Sequence, residues 1–449
     1  MHSSELTEVG KSLRVRTLRD VVDWGLCVGC GACKYASTKG TVQLVNIESL
    51  GIRPAFDRKA EVASSELLDI CPGYSVDAGV TTKAVSKPTD AERDFGPALE
   101  MWEGHAADPE LRYRGSSGGI LSALALYCLE REEMGFVLHA GMDPDRPWLN
   151  KTVTSRTRAQ LLSRAGSRYA PSSPCEGLGE IEKSDRPCVF IGKPCDTAAV
   201  MKARVNRPDL DERLGLVLTF FCAGTPSTSG TLKLLDRLRI EPETVHHLAY
   251  RGEGWPGGFT VMSGQDNQRN FIPYDQAWGS LTPYVPLRCR ICPDGLGRVA
   301  DISCGDAWEK YDGSGSNPGM SIVLVRSQRG QKILRAAMAA GYVNLVPITS
   351  DTVLAAQPHL LSRRRELFGR LLALRLLLVP IPRFYGFSQF HSWIRLPLLR
   401  KIRTIAGTLR RAVVRCWWKR RHIDPDLMAS LSRKPLIETE PSLEKCARS

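Results

Sequence analysis

The 449-residue sequence predicts an α/β protein: a doubly wound, mostly parallel sheet, with a small cysteine-rich domain before it and a basic helical tail after it. Three observations carry this reading. First, two strand-turn-helix units follow one another. The apolar strand Cys188-Val189-Phe190-Ile191 turns through Gly192-Lys193-Pro194-Cys195-Asp196 into a helix from Thr197. Then Leu216-Val217-Leu218-Thr219-Phe220-Phe221 runs through Cys222-Ala223-Gly224 into a helix beginning near Pro226. Successive units of this kind build a parallel sheet. Second, cysteines crowd the first eighty positions at regular gaps. Third, sixteen Lys or Arg stand between Leu361 and Arg421 against one acid, Glu366, more than the whole chain's formal net charge of +13. The expected domains are therefore 1–80, 81–350 and 351–449, with the polar run from Thr81 to Arg93 as linker.

In the first domain, Cys27-Val28-Gly29-Cys30-Gly31-Ala32-Cys33 places three thiols at two-residue gaps, and Cys71-Pro72 supplies a fourth. This is half of a bacterial ferredoxin; in the two-cluster form another cysteine follows after three residues, where this chain has Ser37. One [4Fe-4S] cubane held by Cys27, Cys30, Cys33 and Cys71 is expected. A zinc knuckle also suits clustered thiolates, but the glycines beside the cysteines and the Cys-Pro favour iron and sulfur. Thr41-Val42-Gln43-Leu44-Val45 alternates as a short strand of this ferredoxin-like domain.

In the second domain, Arg114-Gly115-Ser116-Ser117-Gly118-Gly119-Ile120 precedes an apolar-periodic helix through Glu130. Small residues before a helix leave its first N–H groups open, which is how phosphates and pyrophosphates are held; a plain Ser-capped helix start fits as well. Phe136 to Gly141 reads as a buried strand, and Ser167 to Pro174 as a loop whose Arg168 and Tyr169 either line a cofactor or belong to a surface turn. Cys195 and Cys222 each follow the carboxyl end of a strand, where open α/β sheets place ligands. With Cys289-x-x-Cys292 they make a second expected four-thiolate site, although a lone Cys-x-x-Cys also fits zinc or a redox dithiol. Cys304, in Asp301-Ile302-Ser303-Cys304-Gly305-Asp306, ranks fifth. The strand Ser321 to Val325 and the helix Gln331 to Ala340 close the domain. Cys128 and Cys188 read as buried small hydrophobes; Cys175, Cys416 and Cys446 have no spacing partner.

The segment Met1 to Lys11 has no apolar run of a secretory signal, so disulfides are not expected and the clustered thiols read as metal ligands in a reducing cytoplasm. No stretch reaches membrane-spanning length: Leu371 to Pro382 is short and contains Arg375. The tail interleaves Arg with Leu, Ile and Trp, including Trp393 and Trp417-Trp418. Helices of that composition suit an anionic membrane surface or an acidic partner, or pack on the body with a solvated basic face. The expected localisation is cytoplasmic, with a peripheral position at the inner face of the membrane for the tail.

Taken together, the ferredoxin-like cysteines, Gly115-Ser116-Ser117-Gly118-Gly119, Gly192-Lys193-Pro194-Cys195, Phe221-Cys222-Ala223-Gly224, Cys289-x-x-Cys292 and Asp301 to Asp306 resemble the beta subunit of coenzyme F-420 (deazaflavin) hydrogenases. Related dehydrogenases and ferredoxin-dependent chlorophyll-type reductases share that superfamily. The likeness spans roughly residues 20 to 345. It implies FAD beside two [4Fe-4S] clusters, with coenzyme F-420 or a ferredoxin-like protein as electron donor or acceptor. Residue by residue, it places Ser116, Ser117, Gly118 and Gly119 on the flavin loop and Lys193 and Pro194 on a turn near the flavin. It also makes His139, Asp306 and Tyr169 candidates for donating a proton to a substrate over the flavin, each with a structural alternative. The chain departs from the family at Cys304, and its basic tail resembles bacterial members encoded among cell-surface polysaccharide functions. It has none of the cysteine pairs of a nickel-iron site. Two other functions compete with an oxidoreductase: a zinc-knuckle nucleic-acid-binding protein, which leaves the doubly wound core unexplained so that no nucleic acid is expected, and a non-catalytic electron-transfer subunit.

Overall fold

The computed structural model describes residues 15–37, 41–56, 65–78, 89–313 and 318–421. Its strands are β1 (Val42–Ile47), β2 (Gly51–Phe56), β3 (Ser75–Asp77), β4 (Glu100–Ala106), β5 (Val137–Met142), β6 (Asn150–Ser155), β7 (Cys188–Gly192), β8 (Leu214–Phe220), β9 (Val245–Ala249), β10 (Gly258–Ser263), β11 (Gln268–Pro273), β12 (Ile302–Asp306), β13 (Ser321–Val325), β14 (Val343–Pro347) and β15 (Arg383–Tyr385). The principal helices are α1 (Ile120–Glu130), α2 (Pro194–Val205), α3 (Thr228–Leu238), α4 (Tyr274–Leu281), α5 (Gln328–Ala339), α6 (Pro358–Arg365), α7 (Leu367–Leu376) and α8 (Leu398–Val414).

An eight-stranded sheet of order β14-β4-β13-β12-β8-β7-β5-β6 forms the centre. The parallel arrangement read from the two strand-turn-helix units holds for β12, β8, β7 and β5. Antiparallel strands extend it on both sides: β13, β4 and β14 beyond β12, and β6 beyond β5. The middle strands are covered on both faces, which is why β8 reads as a continuous apolar run rather than an alternating one.

Boundaries moved for local reasons. Helix α2 starts at Pro194, not Thr197, because proline suits the first helical position and the Asp196 side chain accepts the Lys193 N–H at 2.9 Å. Residues 81–88 of the expected linker lie outside the described residues; the rest of it enters a short helix, Asp90–Phe95, opened by a Thr89–Glu92 capping box. A three-stranded sheet, β11-β10-β9, was not anticipated, since its outer strands show no regular apolar alternation, with His246-His247 and Gln268-Arg269-Asn270 as consecutive polar runs.

The three regions expected as domains are welded together. One apolar cluster joins Trp24 and Leu26 of the cysteine segment to Phe190 and Val217 of the sheet and to Leu371 and Trp417 of the tail. The tail also supplies β15, which pairs in parallel with β3. Buried arginines complete the joints. Arg326, at the end of β13, donates to the carbonyls of Phe95, Gly96, Pro97 and Leu296 at 2.8–3.0 Å. Replacing it would orphan four buried acceptors, so Arg326→Met should lower the unfolding free energy by about 3 kcal/mol or more in urea titrations; a change under about 1 kcal/mol would show those carbonyls find other partners.

Candidate functional site

The carboxyl ends of the parallel strands β5, β7, β8 and β12 open into a cavity of about 1040 Å³. That is the place an open α/β sheet offers a ligand, and the volume is at the upper end for small-molecule sites. His139 and Ala140 of β5, Gly192 after Ile191 of β7, Phe220 of β8 and Cys304 to Asp306 of β12 line it.

One wall is the glycine loop. Helix α1 has no side-chain cap, and Gly119, its N-cap, sits at φ +73°. A Cβ there would lie 2.5 Å from the Leu111 carbonyl oxygen, so only glycine lets the chain pass this close. Gly119, Ile120, Leu121 and Ser122 line the cavity, leaving the first helical N–H groups directed at it. Ser116 and Ser117 also line it, but their hydroxyls serve the loop: Ser116 Oγ accepts the Ser167 N–H, and Ser117 Oγ pairs with Ser321 Oγ at 2.7 Å. Gly118 does not offer its N–H, which is donated to Ser321 Oγ at 2.8 Å. Gly118, placed on the flavin loop by the resemblance, therefore has its donor spent within the protein and does not line the cavity.

The fold brings each set of four thiols together. Cys27, Cys30, Cys33 and Cys71 act on one another electrostatically: burial and the neighbouring Cys30 and Cys27 push the Cys71 thiol up to about 12, and Cys33 is raised in the same way. Gly29 and Gly31 turn this loop at φ +73° and +88°. A Cβ on Gly31 would meet Ser173 O at 2.9 Å, so the cysteine loop and the sheet domain are in backbone contact. Cys195, Cys222, Cys289 and Cys292 form the second set; burial, Cys289 and Cys292 push Cys222 up to about 12. Crowded buried thiols are poor company unless cations sit among them. Among the described residues no three Cys, His, Asp or Glu side chains approach closely enough to hold a single metal ion. Cys304 belongs to neither set: it lies in the sheet core, with burial alone raising its thiol.

Between the sets stands a buried ion pair. Lys193 Nζ meets Asp196 Oδ2 at 2.8 Å and donates to Ser172 Oγ at 2.7 Å. Burial opposes its charge, but Asp196 and Cys195 hold its ammonium above the usual range. Asp196 Oδ1 is buried with no hydrogen-bond partner, and both residues line the cavity. Cys175, left without a role by its spacing, links the sets: Cys30 hydrogen-bonds to it, and its Sγ lies 3.5 Å from Asp196 O. Pro194 is the first residue of α2 and does not line the cavity.

The remaining candidates fare unequally. Arg168 lines the cavity, yet its guanidinium donates to Asn150 and to the carbonyls of Leu248, Pro147 and Leu149, which makes it a brace. Asp306 is clamped by Arg251 through bonds of 2.9 and 2.6 Å and by Trp255 Nε1 at 2.7 Å, so it is an unsuitable proton donor. His139 is too: its ring contacts Ser155 Oγ at 2.8 Å and Ala140 O at 3.1 Å, and burial and Arg164 push it down to about 4. Tyr169 lines the cavity against Trp278 and Tyr274; its hydroxyl is hydrogen-bonded by Arg251 and Tyr274, and burial holds it above the usual range, hence protonated. The sequence reading missed Arg251, Tyr274 and Trp308, where the guanidinium lies 4.6 and 5.3 Å from the two rings. The signal was the glycine-dense run Arg251-Gly252-Glu253-Gly254-Trp255-Pro256-Gly257-Gly258.

Such a cavity at the carboxyl edge of a parallel sheet, flanked by gathered thiols, defines the chain as an α/β oxidoreductase. It belongs to the coenzyme F420 hydrogenase/dehydrogenase beta subunit family, whose amino-terminal part matches residues 101–178 and whose carboxyl-terminal part matches residues 185–351. Coenzyme F420 hydrogenase subunit beta of Methanosarcina barkeri is 28% identical over 261 residues, 57% of this chain and 84% of that protein. A coenzyme F420-dependent sulfite reductase of Methanocaldococcus jannaschii is 21% identical over 350 residues, 74% of this chain and 49% of that one. A chain of the F420-reducing [NiFe] hydrogenase complex from Methanosarcina barkeri superposes with a TM-score of 0.48 at 24% identity, over 61% of this chain and 92% of its own. The first cysteine set and the tail lie outside the matched spans.

The His139 environment makes a stability prediction. Its folded pKa, about 4, is below the ordinary 6.5, so its contribution is complete above pH 6.5 and disappears as pH falls toward 4. Urea unfolding at pH 7 and pH 5 should show a loss approaching 2 kcal/mol, and His139→Gln should flatten that difference; an unchanged pH dependence in the variant would refute the assignment.

Proposed function

We propose that this chain binds FAD and two [4Fe-4S] clusters and moves electrons between a deazaflavin or ferredoxin-type carrier and a substrate, as one subunit of an electron-transfer assembly. The observation that carries this reading is convergence: the second four-thiol set, through Cys222, and an uncapped helix N-terminus meet at one cavity, and Cys175, hydrogen-bonded to Cys30 and to Asp196 O, ties the first set to the same floor. The deazaflavin is favoured by the relatives, named for coenzyme F420, and the assembly by their being named as subunits.

When bound, a flavin exchanges electrons in pairs and a cubane singly, so together they convert one form of transfer into the other. The chain's own residues place and protect these groups. The N–H groups at Gly119 and Ile120 would hold the pyrophosphate. Asp196, another lining residue, offers an unused acceptor in its Oδ1. The aromatic wall of Tyr169, Tyr274, Trp278 and Trp308, pinned by Arg251, keeps water from the opposite side. Tyr169 Oη keeps its proton at neutral pH and is the hydroxyl from which a substrate would take one. Cys33 and Cys71 are only partly buried, so the first set is the side for a protein electron partner.

Two experiments separate the parts. Cys27→Ser, purified without oxygen, should lose about half of its iron and acid-labile sulfide while its flavin absorbance persists; a full complement of iron would sink the first site. Gly119→Ala, which crowds the Leu111 carbonyl, should lose flavin while keeping both clusters; normal flavin content in that variant would remove the glycine loop from the cofactor site.

A further inference from the structure

We propose that helix α8, with the short segment leading into it, docks on the surface of a lipid bilayer rich in anionic phospholipid. The helix is turned opposite to an ordinary surface helix. Its buried side is small and mostly polar: Thr404, Thr408 and Ala412, four residues apart, face the protein. Its apolar side faces solvent. Leu398 is 71% exposed, Leu399 74%, and Ile402, Val413 and Val414 each more than half. Leu398, Ile402, Leu409 and Val413 follow the three- and four-residue spacing of one helical stripe, so the exposed apolar residues form a continuous band along a helix about 25 Å long.

The band continues beyond the helix. Phe390 and Ile394 before it, and Trp418 after it, are also exposed. An apolar strip of this length on a described surface needs a covering.

Charge selects the occupant. Arg403 and Arg410 flank the stripe and are exposed, with no ion pair among the described residues. Glu366, the single acid between Leu361 and Arg421, is bound by Arg370 and Arg400 at 2.7 and 2.9 Å and cannot repel an anion. A second copy of this chain, docked stripe to stripe about a two-fold axis, would set these arginines against their own duplicates. A bilayer surface instead takes the apolar band into its headgroup boundary and the flanking arginines against its phosphates. The contact is peripheral, since no helix among the described residues is long and apolar enough to cross a membrane. Helix α8 also lines the cavity with Thr408 and Arg411, so docking would hold the cavity mouth near the bilayer.

The test is vesicle flotation of the full chain with its cofactors, using phosphatidylcholine vesicles with and without 30% phosphatidylglycerol (roughly the anionic content at which polybasic surfaces bind). The expected result is flotation with the anionic vesicles, at least about tenfold weaker with phosphatidylcholine alone and at least about tenfold weaker at 0.5 M salt (roughly a 4 Å screening length). The double substitutions Leu399→Glu with Ile402→Glu, and Arg403→Glu with Arg410→Glu, should each reduce binding by a similar factor while leaving circular dichroism and cofactor absorbance unchanged. Absence of flotation at low salt overturns the proposal. So does binding that neither pair of substitutions changes. Light scattering that shows a dimer without lipid, dissolved by the Leu399→Glu and Ile402→Glu pair, would also overturn it and assign the face to a second copy.

Discussion

Everything near the cavity rests on burying Lys193 and Asp196 together. Taking two charges out of water is expensive, and their mutual attraction offsets it only when the geometry is good and the remaining hydrogen-bonding groups are served. Here one carboxylate oxygen does double duty: Asp196 Oδ2 accepts both the Lys193 ammonium and the Lys193 backbone N–H, starting helix α2 where strand β7 ends, while Oδ1 is left unpaired toward the cavity. The ammonium in turn anchors Ser172 of the neighbouring loop. That loop leads to Cys175, whose N–H is accepted by Cys30 O at 3.0 Å. One ion pair thus sets the distance between the cysteine loop, the second cysteine set and the cavity floor. Because the pair is neutral overall, positive charge for the thiol sets must come from elsewhere, and Arg53 beside Cys27 and Arg288 beside Cys292 supply it.

Arginine serves a second purpose that the charge count conceals. Arg298 donates to the carbonyls of Glu92, Arg93 and Gly386, and Arg364 to those of Arg93, Pro293 and Phe387. Arg288 reaches Pro72 O. These guanidiniums stitch irregular segments that have no ladder of their own, and a planar group with five donors is suited to that task. Much of the tail's positive charge in α6 and α7 is therefore structural and faces inward. What remains on the surface is concentrated on α8 and around it.

The parts of the fold legible in the sequence were those written in local pattern. The runs at Cys188 and Leu216 gave the parallel centre because doubly covered strands are apolar throughout, and the cysteine spacings gathered the thiols that the structure brings together. The parts hidden were those that depend on long-range contact. Nothing local marks β4, β13 and β14 as antiparallel additions to that sheet. Cys175 has no spacing partner because its neighbour, Cys30, comes from another segment. Arg168 and Asp306 were drawn toward the site by their chemistry, but a sequence does not tell whether a donor or acceptor is already engaged. The same ambiguity left Arg251 unread, since its partners Asp306, Tyr274 and Trp308 arrive from three different segments.

The tail's place follows from these contacts. The family match ends at residue 351, yet Arg363, Arg370, Thr408, Arg411 and Trp417 line the same cavity as Gly119. Arg363 donates to the carbonyl of Ala223 and, at 2.8 Å, to that of Cys289, so it grips the backbone on both sides of the second cysteine set. Arg290 beside it is pushed down to about 10 by burial and by Arg415, Arg363 and Arg411, a mark of cations held close together. Guanidiniums are crowded in this way only where backbone carbonyls or anions offset their repulsion. The carbonyls account for Arg363 and Arg290, whose donors reach Ala223, Cys289, Val285 and Thr282. The tail thus adds a cationic wall to the cavity, while the far side of α8 carries the exposed apolar stripe.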